Sequence, residues 1–350
     1  MKEEFRRILN PISRKITLEQ ESYLYFGGTA YLGIPQHKGF HKLYLEGLER
    51  FGLNNGTSRN NNIQLSIYDE VEQFAATYFG ASACLITSSG YTAAQLAIKH
   101  LSTLGEVRYA PATHPALWLN KAPKASGSFN DWARALVTEI NQSKVKNWVI
   151  ISNSLNNLYP EVYDFSFFEE IDEENKIILI VDDSHGIGIL NTFSTLPIKK
   201  NMEIVVVASM AKALGVDAGL VLGSQNIISL LKQTPEFLGA SPPSAAGLFA
   251  FKNASPIYEE ERKKLKDLTK RLSAALKGDS KWAFTPNFPV FLTTSVSTEE
   301  KLLKQRILIS SFAYPDKNGC LINRVVLSSW HTLADIEELI LALTKIIRQK

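Results

Sequence analysis

Residues 205–219 read VVVASMAKALGVDAG. The β-branched run Val205 to Val207 stops at Ala208, and small residues then surround a single amine, Lys212. An apolar run of this length bounded by small residues has the pattern of a buried strand emptying into a loop. Lys212 is therefore expected at the strand's C-terminal mouth. Burying an unpaired ammonium is unfavourable, so such a lysine either lies on the surface of a βα loop or is desolvated for use. A desolvated lysine loses its proton more easily, and its amine attacks carbonyl carbon to form a Schiff base. Ser209, three residues earlier, places a hydroxyl on the same turn, where it can hold a phosphate. Taken alone, the stretch leaves both readings open.

A second apolar run upstream, Ile177 to Val181, ends in Asp182-Asp183-Ser184-His185-Gly186-Ile187-Gly188. Asp-rich turns are common. An acid at the end of a buried strand, with an imidazole three residues on, is also what a pyridinium ring needs, because the carboxylate keeps the ring nitrogen protonated and able to accept carbanion electrons. In this order the two stretches resemble the fold-type-I pyridoxal-phosphate (PLP) enzymes of the class-II aminotransferase group. VDDSHGIG resembles that group's VDEAHGxG segment, and SMAKALG its TxxKAxG lysine segment. The resemblance implies PLP as cofactor, carried by Lys212, with Asp182 on the ring nitrogen and His185 near the phenolic oxygen.

Composition agrees with a globular enzyme. The chain has 350 residues, 45% of them apolar, enough for two domains or for one large α/β domain with an appendage. A net charge of +3 gives no field that would favour nucleic acid. Two cysteines, Cys84 and Cys320, lie far apart, which argues against a disulfide framework and for a reducing, cytoplasmic setting. The opening MKEEFRRILNPISRK has no apolar core of signal-peptide length, and no stretch is long enough to span a bilayer. Neither GxxxxGK[ST] nor GxGxxG after a strand is present.

In chain order, residues 1–38 form an opening segment with a short strand and turn at Tyr23 to Gly28, and Tyr31-Leu32-Gly33 resembles the YLG of one PLP branch. His37 and His41 have metal-ligand spacing, but Gly39 lies between them and no acidic ligand is near, so no metal is expected. Residues 50–60, rich in Gly, Asn, Ser and Thr, read as a loop and resemble the family's GxGGSR segment at the subunit interface. A helix follows from near Ser66, with Val71, Phe74, Ala75 and Tyr78 on one face. Ala83 to Thr87 reads as a strand, then Ser88-Ser89-Gly90-Tyr91-Thr92 opens a small-residue helix whose free N–H groups offer an anion site. It resembles the family's SGF or SGY turn, which implies that Ser89, Gly90 and Tyr91 hold the PLP phosphate.

His114 follows a strand-like run, Val107 to Tyr109. A lone histidine there is either structural or catalytic, and its rank in the chain matches the family's N-H-A-S histidine, stacked on the cofactor ring. Pro115 departs from that pattern. Helix is expected at Trp132 to Gln142, strand at Trp148 to Ser152, and an acidic amphipathic helix at Phe165 to Glu174. The segment Asn153 to Asn157 departs from the family, and Asn157 falls near its phenolate-binding serine. Gly239-Ala240-Ser241-Pro242-Pro243 resembles the S-T-x-x-P-P loop that reaches a neighbouring subunit's phosphate, with Ser241 left as the hydroxyl. Strands alternating with helices imply a doubly wound, mostly parallel sheet whose site lies at the strands' carboxyl ends.

Pro256 to Leu276 reads as a long charged helix, Pro289 to Thr294, Ile307 to Ser311 and Arg324 to Leu327 as strands, and Leu333 to Ile347 as a closing helix. The expected organisation is an N-terminal segment 1–38, a large PLP-binding domain 39–250 and a smaller α+β domain 251–350. The stretch R-V-V-L-S-S-W-H resembles the family's R-x-x-x-[ST]-A-x-H ending, which implies that Arg324 clamps a substrate carboxylate. The family's second arginine is Ile322 here, and Thr29 stands where the family has an asparagine near the substrate. Within the group the chain is most similar to the α-oxoamine synthases, which condense an amino acid with an acyl-CoA. That implies small-molecule substrates and a homodimer with neither nucleic acid nor membrane as partner. An aminotransferase on the same scaffold is the alternative.

Overall fold

The computed structural model describes residues 3–156, 158–190, 192–313 and 321–348. Its strands are β1 Lys15–Leu18, β2 Glu21–Phe26, β3 Ala83–Thr87, β4 Glu106–Tyr109, β5 Asn147–Asn153, β6 Leu155–Asn156 and β7 Glu161–Val162, then β8 Lys176–Asp182, β9 Met202–Ser209, β10 Gly219–Gly223, β11 Trp282–Phe284, β12 Val290–Thr293, β13 Ile307–Ala313 and β14 Leu321–Val326. The chain divides into two units, and Gly39–Asn156 with Val162–Ser255 makes the larger.

The larger unit carries a six-stranded sheet in the order β3-β10-β9-β8-β5-β4. β4, β5, β8 and β9 run parallel, and β10 lies antiparallel between β3 and β9, so all strands but β10 share one direction. This is the mostly parallel sheet expected from the alternating pattern. Every residue of β3 and β10 is buried, which is why these strands read as unbroken apolar runs rather than as alternating ones. Helix Gly90–Leu101 lies against β9 and β10, and Ile67–Phe79 lies against β3. Leu85, Ala93, Ala97, Val149, Ile180, Val205, Val207 and Val221 meet in one core, none more than 1% exposed. Each large aliphatic among them contributes about 1.5–3 kcal/mol by burial.

Two local expectations change. Phe165 to Glu174 is not an α-helix but a 3-10 turn at Ser166–Glu170. Phe165, Phe167 and Phe168 all join one aromatic cluster, two of them against Phe129. Side chains two apart on an α-helix do not share a face, so the cluster and the helix exclude each other. Lys199 takes over the freed carbonyls, its Nζ donating to those of Phe168, Glu169 and Ile171 at 3.1, 3.2 and 2.7 Å. Lys212 lies in a ββ connection, not a βα loop, because β10 returns antiparallel to β9.

The other unit is built from the segment through Lys38 and the chain from Pro256 onward. Its sheet has the order β1-β2-β13-β14-β12-β11, with β2 parallel to β13. The opening residues thus supply two strands to a sheet otherwise made by the C-terminal third. His331 pins them: its Nε2 is 2.8 Å from the Tyr25 carbonyl, its Nδ1 accepts the Ser328 N–H at 3.0 Å, and its ring stacks on Phe26 at 4.4 Å. Both ring nitrogens thus sit against backbone, Nδ1 also lying 3.0 Å from the Ser328 carbonyl. Burial pushes the His331 pKa down accordingly. Among the described residues no helix is long and apolar enough to cross a membrane.

Candidate active site

Register places the chemistry along one edge of the larger sheet. Asn153 pairs with Asp182, Asp182 with Val207, and Gly219 with both Ser209 and Thr87. The carboxyl ends of β3, β5, β8 and β9 therefore lie side by side, and the loops after them carry the residues singled out from the sequence. Open α/β sheets bind ligands at this edge.

The turn after β3 leads into helix Gly90–Leu101. Ser89 is its N-cap, accepting the Thr92 N–H at 3.1 Å, and its carbonyl accepts the Thr87 hydroxyl at 2.8 Å. Two glycines let this turn close on the lysine strand. A Cβ on Gly90 would lie 2.5 Å from that of Ser209, and one on Gly219 would lie 2.1 Å from the Ser89 carbonyl oxygen. The helix N-terminus and the end of β9 thus share one small space, suited to an anion.

Asp182 is 9% exposed, and one of its oxygens accepts the Ser184 N–H at 2.9 Å. The Ser184 hydroxyl accepts the Ser209 N–H, also at 2.9 Å, so the acid turn and the lysine strand are tied directly. Leu214 approaches Gly188 closely enough that a Cβ there would lie 2.9 Å from its methyl. His114 feels the charges of both Asp182 and Lys212. Imidazole, carboxylate and amine therefore lie near one another. His114 stays accessible, yet partial desolvation is the largest influence on it and lowers its pKa, against the pull of Asp182 and with the push of Lys212. Its Nδ1 accepts the Ala116 N–H at 3.1 Å, which leaves Nε2 to carry the ring proton.

The loop holding His114 is strained. Ala112 has φ +56°, a left-handed conformation that residues with a Cβ rarely adopt. Asn153 holds it there, its amide donating to the Ala112 carbonyl at 2.7 Å and accepting the His114 N–H at 3.1 Å. From sequence, Asn153 was only part of a segment unlike the family. Its place at the end of a strand beside Asp182 was the signal. Arg59 was missed too. Its side chain is 10% exposed, stacks over Tyr68 and Phe237 at 4.9 and 5.4 Å, and pairs with Glu72 at 3.5 Å. It lines a small chamber with Ser88, Thr92 and Ser241.

Of the remaining expected residues, His185 is half-buried on the turn after Asp182, and Lys212 is half-buried in its loop. Tyr91 is 61% exposed, so only its backbone belongs to the helix start. Ser241 is exposed. Asn157 lies outside the described residues. Thr29 and Arg324 belong to the other unit. There Arg324 is buried on β14, its guanidinium 5.1 Å from the Phe312 ring, and burial lowers its pKa against the influence of Tyr31 and Tyr25. Thr29 is half-buried, and its carbonyl accepts the Tyr31 N–H at 2.8 Å. His37 does not share a helix with His41; it precedes that helix and lies 3.9 Å from Glu261.

The chain is similar to known proteins in sequence and fold. The chain is 24% identical to 8-amino-7-oxononanoate synthase of Herminiimonas arsenicoxydans, over 97% of this chain and 93% of that one. Its fold is that of serine palmitoyltransferase from Sphingomonas wittichii, with a TM-score of 0.83, 16% identity, and 99% and 93% of the two chains covered. A serine palmitoyltransferase determined with PLP matches with a TM-score of 0.81 and 16% identity, over 98% of this chain and 92% of that one. Residues 31–343 match the family described as aminotransferase class I and II. With that match spanning nearly all of the chain, and with lysine, aspartate and histidine meeting at the sheet's carboxyl edge, the chain belongs to the class I and II aminotransferase family.

Proposed function

We propose that the protein is a PLP-dependent acyltransferase of the α-oxoamine synthase type, joining an amino acid to an acyl-CoA. The observation that carries this reading is the meeting of His114, Asp182 and Lys212 beside a helix N-terminus. The relatives' names supply the reaction type.

The residues fit the cofactor. A dianionic phosphate suits the Ser89–Gly90 helix start, which the glycine contacts keep tight, with Tyr91 giving its backbone and Ser209 its hydroxyl, while Ser241 would reach the phosphate of a neighbouring subunit. A buried carboxylate, Asp182, suits a ring nitrogen that must stay protonated, and His185 follows on the same turn. A half-buried amine, Lys212, suits an aldehyde. When bound, PLP supplies an electron sink for charge developing at the substrate's α-carbon.

The side chains then divide the work. Lys212 would hold the cofactor's aldehyde and, with its amine free, would take the α-proton as general base. His114 would stack on the ring, as the resemblance implies, and its Nε2–H would be the donor that polarises an incoming thioester carbonyl. Arg324 holds the substrate carboxylate, with Thr29 in the same unit. Thiolate of CoA leaves as the new carbon–carbon bond forms. The working protein is a homodimer in the cytoplasm. Leu53 and Ile63, 79% and 77% exposed, bracket the loop that resembles an interface segment, and Cys84 is a buried free thiol.

The reading is tested by incubating the purified holoenzyme with a panel of amino acids, each with and without acyl-CoA, while following free thiol and the cofactor spectrum. Thiol release that needs both substrates is expected. Full conversion to pyridoxamine phosphate by an amino acid alone, with no thiol released on adding acyl-CoA, would assign an aminotransferase instead.

A further inference from the structure

Asp182 has a neighbour that the chemistry above does not use. Successive strand residues point to opposite faces, so when Asp182 faces the site Asp183 turns inward. Asp183 is 1% exposed, and its backbone N–H is held by the Val207 carbonyl at 2.8 Å. Its carbonyl accepts the N–H groups of Gly186 and Ile187 at 2.9 and 2.8 Å, closing the turn that carries Ser184 and His185. The carboxyl sits under that turn, where a Cβ on Gly186 would lie 2.1 Å from Oδ1 and 2.9 Å from the Thr192 hydroxyl. Oδ1 is buried, with the hydroxyls of Ser154 and Thr192 beside the carboxyl.

Resting on the reading of Asp182 as the ring-nitrogen partner, we propose that Asp183 is a positioning residue: its buried carboxyl fills the space beneath Gly186 and locks the turn, so that Asp182 stays aimed at the site as the one anion of the pair. Two adjacent carboxylates in a shared low-dielectric site do not both ionise readily, and environments that separate them assign one charge and one proton. Here burial pushes Asp183 up to about 7, the Ser154 and Thr192 hydroxyls oppose this, and the charge of Asp182 adds to it. Asp182 is the charged group facing Asp183, and the two hydroxyls face it from the segment after β5 and from the turn at Thr192.

The test uses the full chain with four variants, Asp183→Asn, Asp183→Ala, Gly186→Ala and the double Asp183→Ala/Gly186→Ala. Each is read by the Tm of the apoprotein between pH 5 and 8 (about one unit either side of the ordinary histidine range), by PLP affinity from absorbance titration, and by kcat and KM. Asp183→Asn, which keeps the shape of the neutral acid, should retain PLP affinity and remove the fall in Tm expected of the wild type as pH rises toward about 7. Asp183→Ala should weaken PLP binding and kcat by about tenfold while KM changes little, as for outer-shell partners of other cofactor ligands. Gly186→Ala should be damaging alone and tolerated in the Asp183→Ala background, since the space is then open. Equal PLP affinity in wild type and Asp183→Ala, or a Tm profile below pH about 7 unchanged in Asp183→Asn, would overturn the proposal. If the wild type bound no PLP, the reading of Asp182 would fail instead, and the Tm profiles and the Gly186 pair would still decide whether Asp183 locks the turn.

Discussion

At the scale of single residues, the site depends on conformations that only particular side chains hold. Ala112 is kept left-handed at φ +56° by the Asn153 amide, and that arrangement presents His114. Asn153→Ala removes both bonds and should lower stability by about 1 kcal/mol, because each net hydrogen bond is modest. Activity should fall further than stability, and a chemical denaturation curve set beside kcat shows whether it does. His331 works through charge. Its folded pKa is depressed by burial, so its contribution is complete above the unfolded value near 6.5 and is lost as pH falls through and below it. Acidification from pH 7.5 to 5.5, one unit either side of about 6.5, should lower Tm. His331→Phe, which can still stack on Phe26 but cannot gain a proton, should be less stable at neutral pH and should lose that part of the acid dependence.

At the scale of elements, glycine sets the distance between the phosphate turn and the lysine strand. Gly90→Ala would force a Cβ to within 2.5 Å of Ser209, a contact with backbone-proximal atoms that cannot swing away. Overpacking of this kind costs about 1–3 kcal/mol, and PLP affinity should weaken with it; differential scanning calorimetry and a cofactor titration check the two effects. Strands such as Ala83–Thr87 were legible in the sequence because burial on both faces demands an unbroken apolar run. The element 165–174 was not, because its helical pattern competes with a local aromatic cluster that composition alone does not reveal. The direction of β10 was also hidden, since an apolar run after a loop reads the same whether it returns parallel or antiparallel. Lys212 and Asp182 stood out by chemistry that is unusual at a strand end, and His114 by its rank in the family resemblance. Asn153 and Arg59 did not, since their roles come from contacts with residues distant in sequence.

At the scale of the whole molecule, the lysine-bearing sheet is complete within Gly39–Asn156 and Val162–Ser255, while β1 and β2 complete the sheet of the other unit from the far end of the sequence. Pairing between chain ends has no local signature, which is why the opening residues read only as a strand and a turn. Large apolar side chains left in water mark contact surfaces, and Leu53 and Ile63 belong to one loop region of the larger unit. Replacing both with lysine should convert a dimer to a monomer in light scattering and reduce activity, with the fold retained by circular dichroism. A wild type that is monomeric and fully active would contradict the assembly. The most direct measurement of the central claim is borohydride reduction of the holoprotein followed by peptide mapping. A phosphopyridoxyl group is expected on the peptide containing Lys212; the label on any other lysine, or no label at all, would contradict the assignment of that residue.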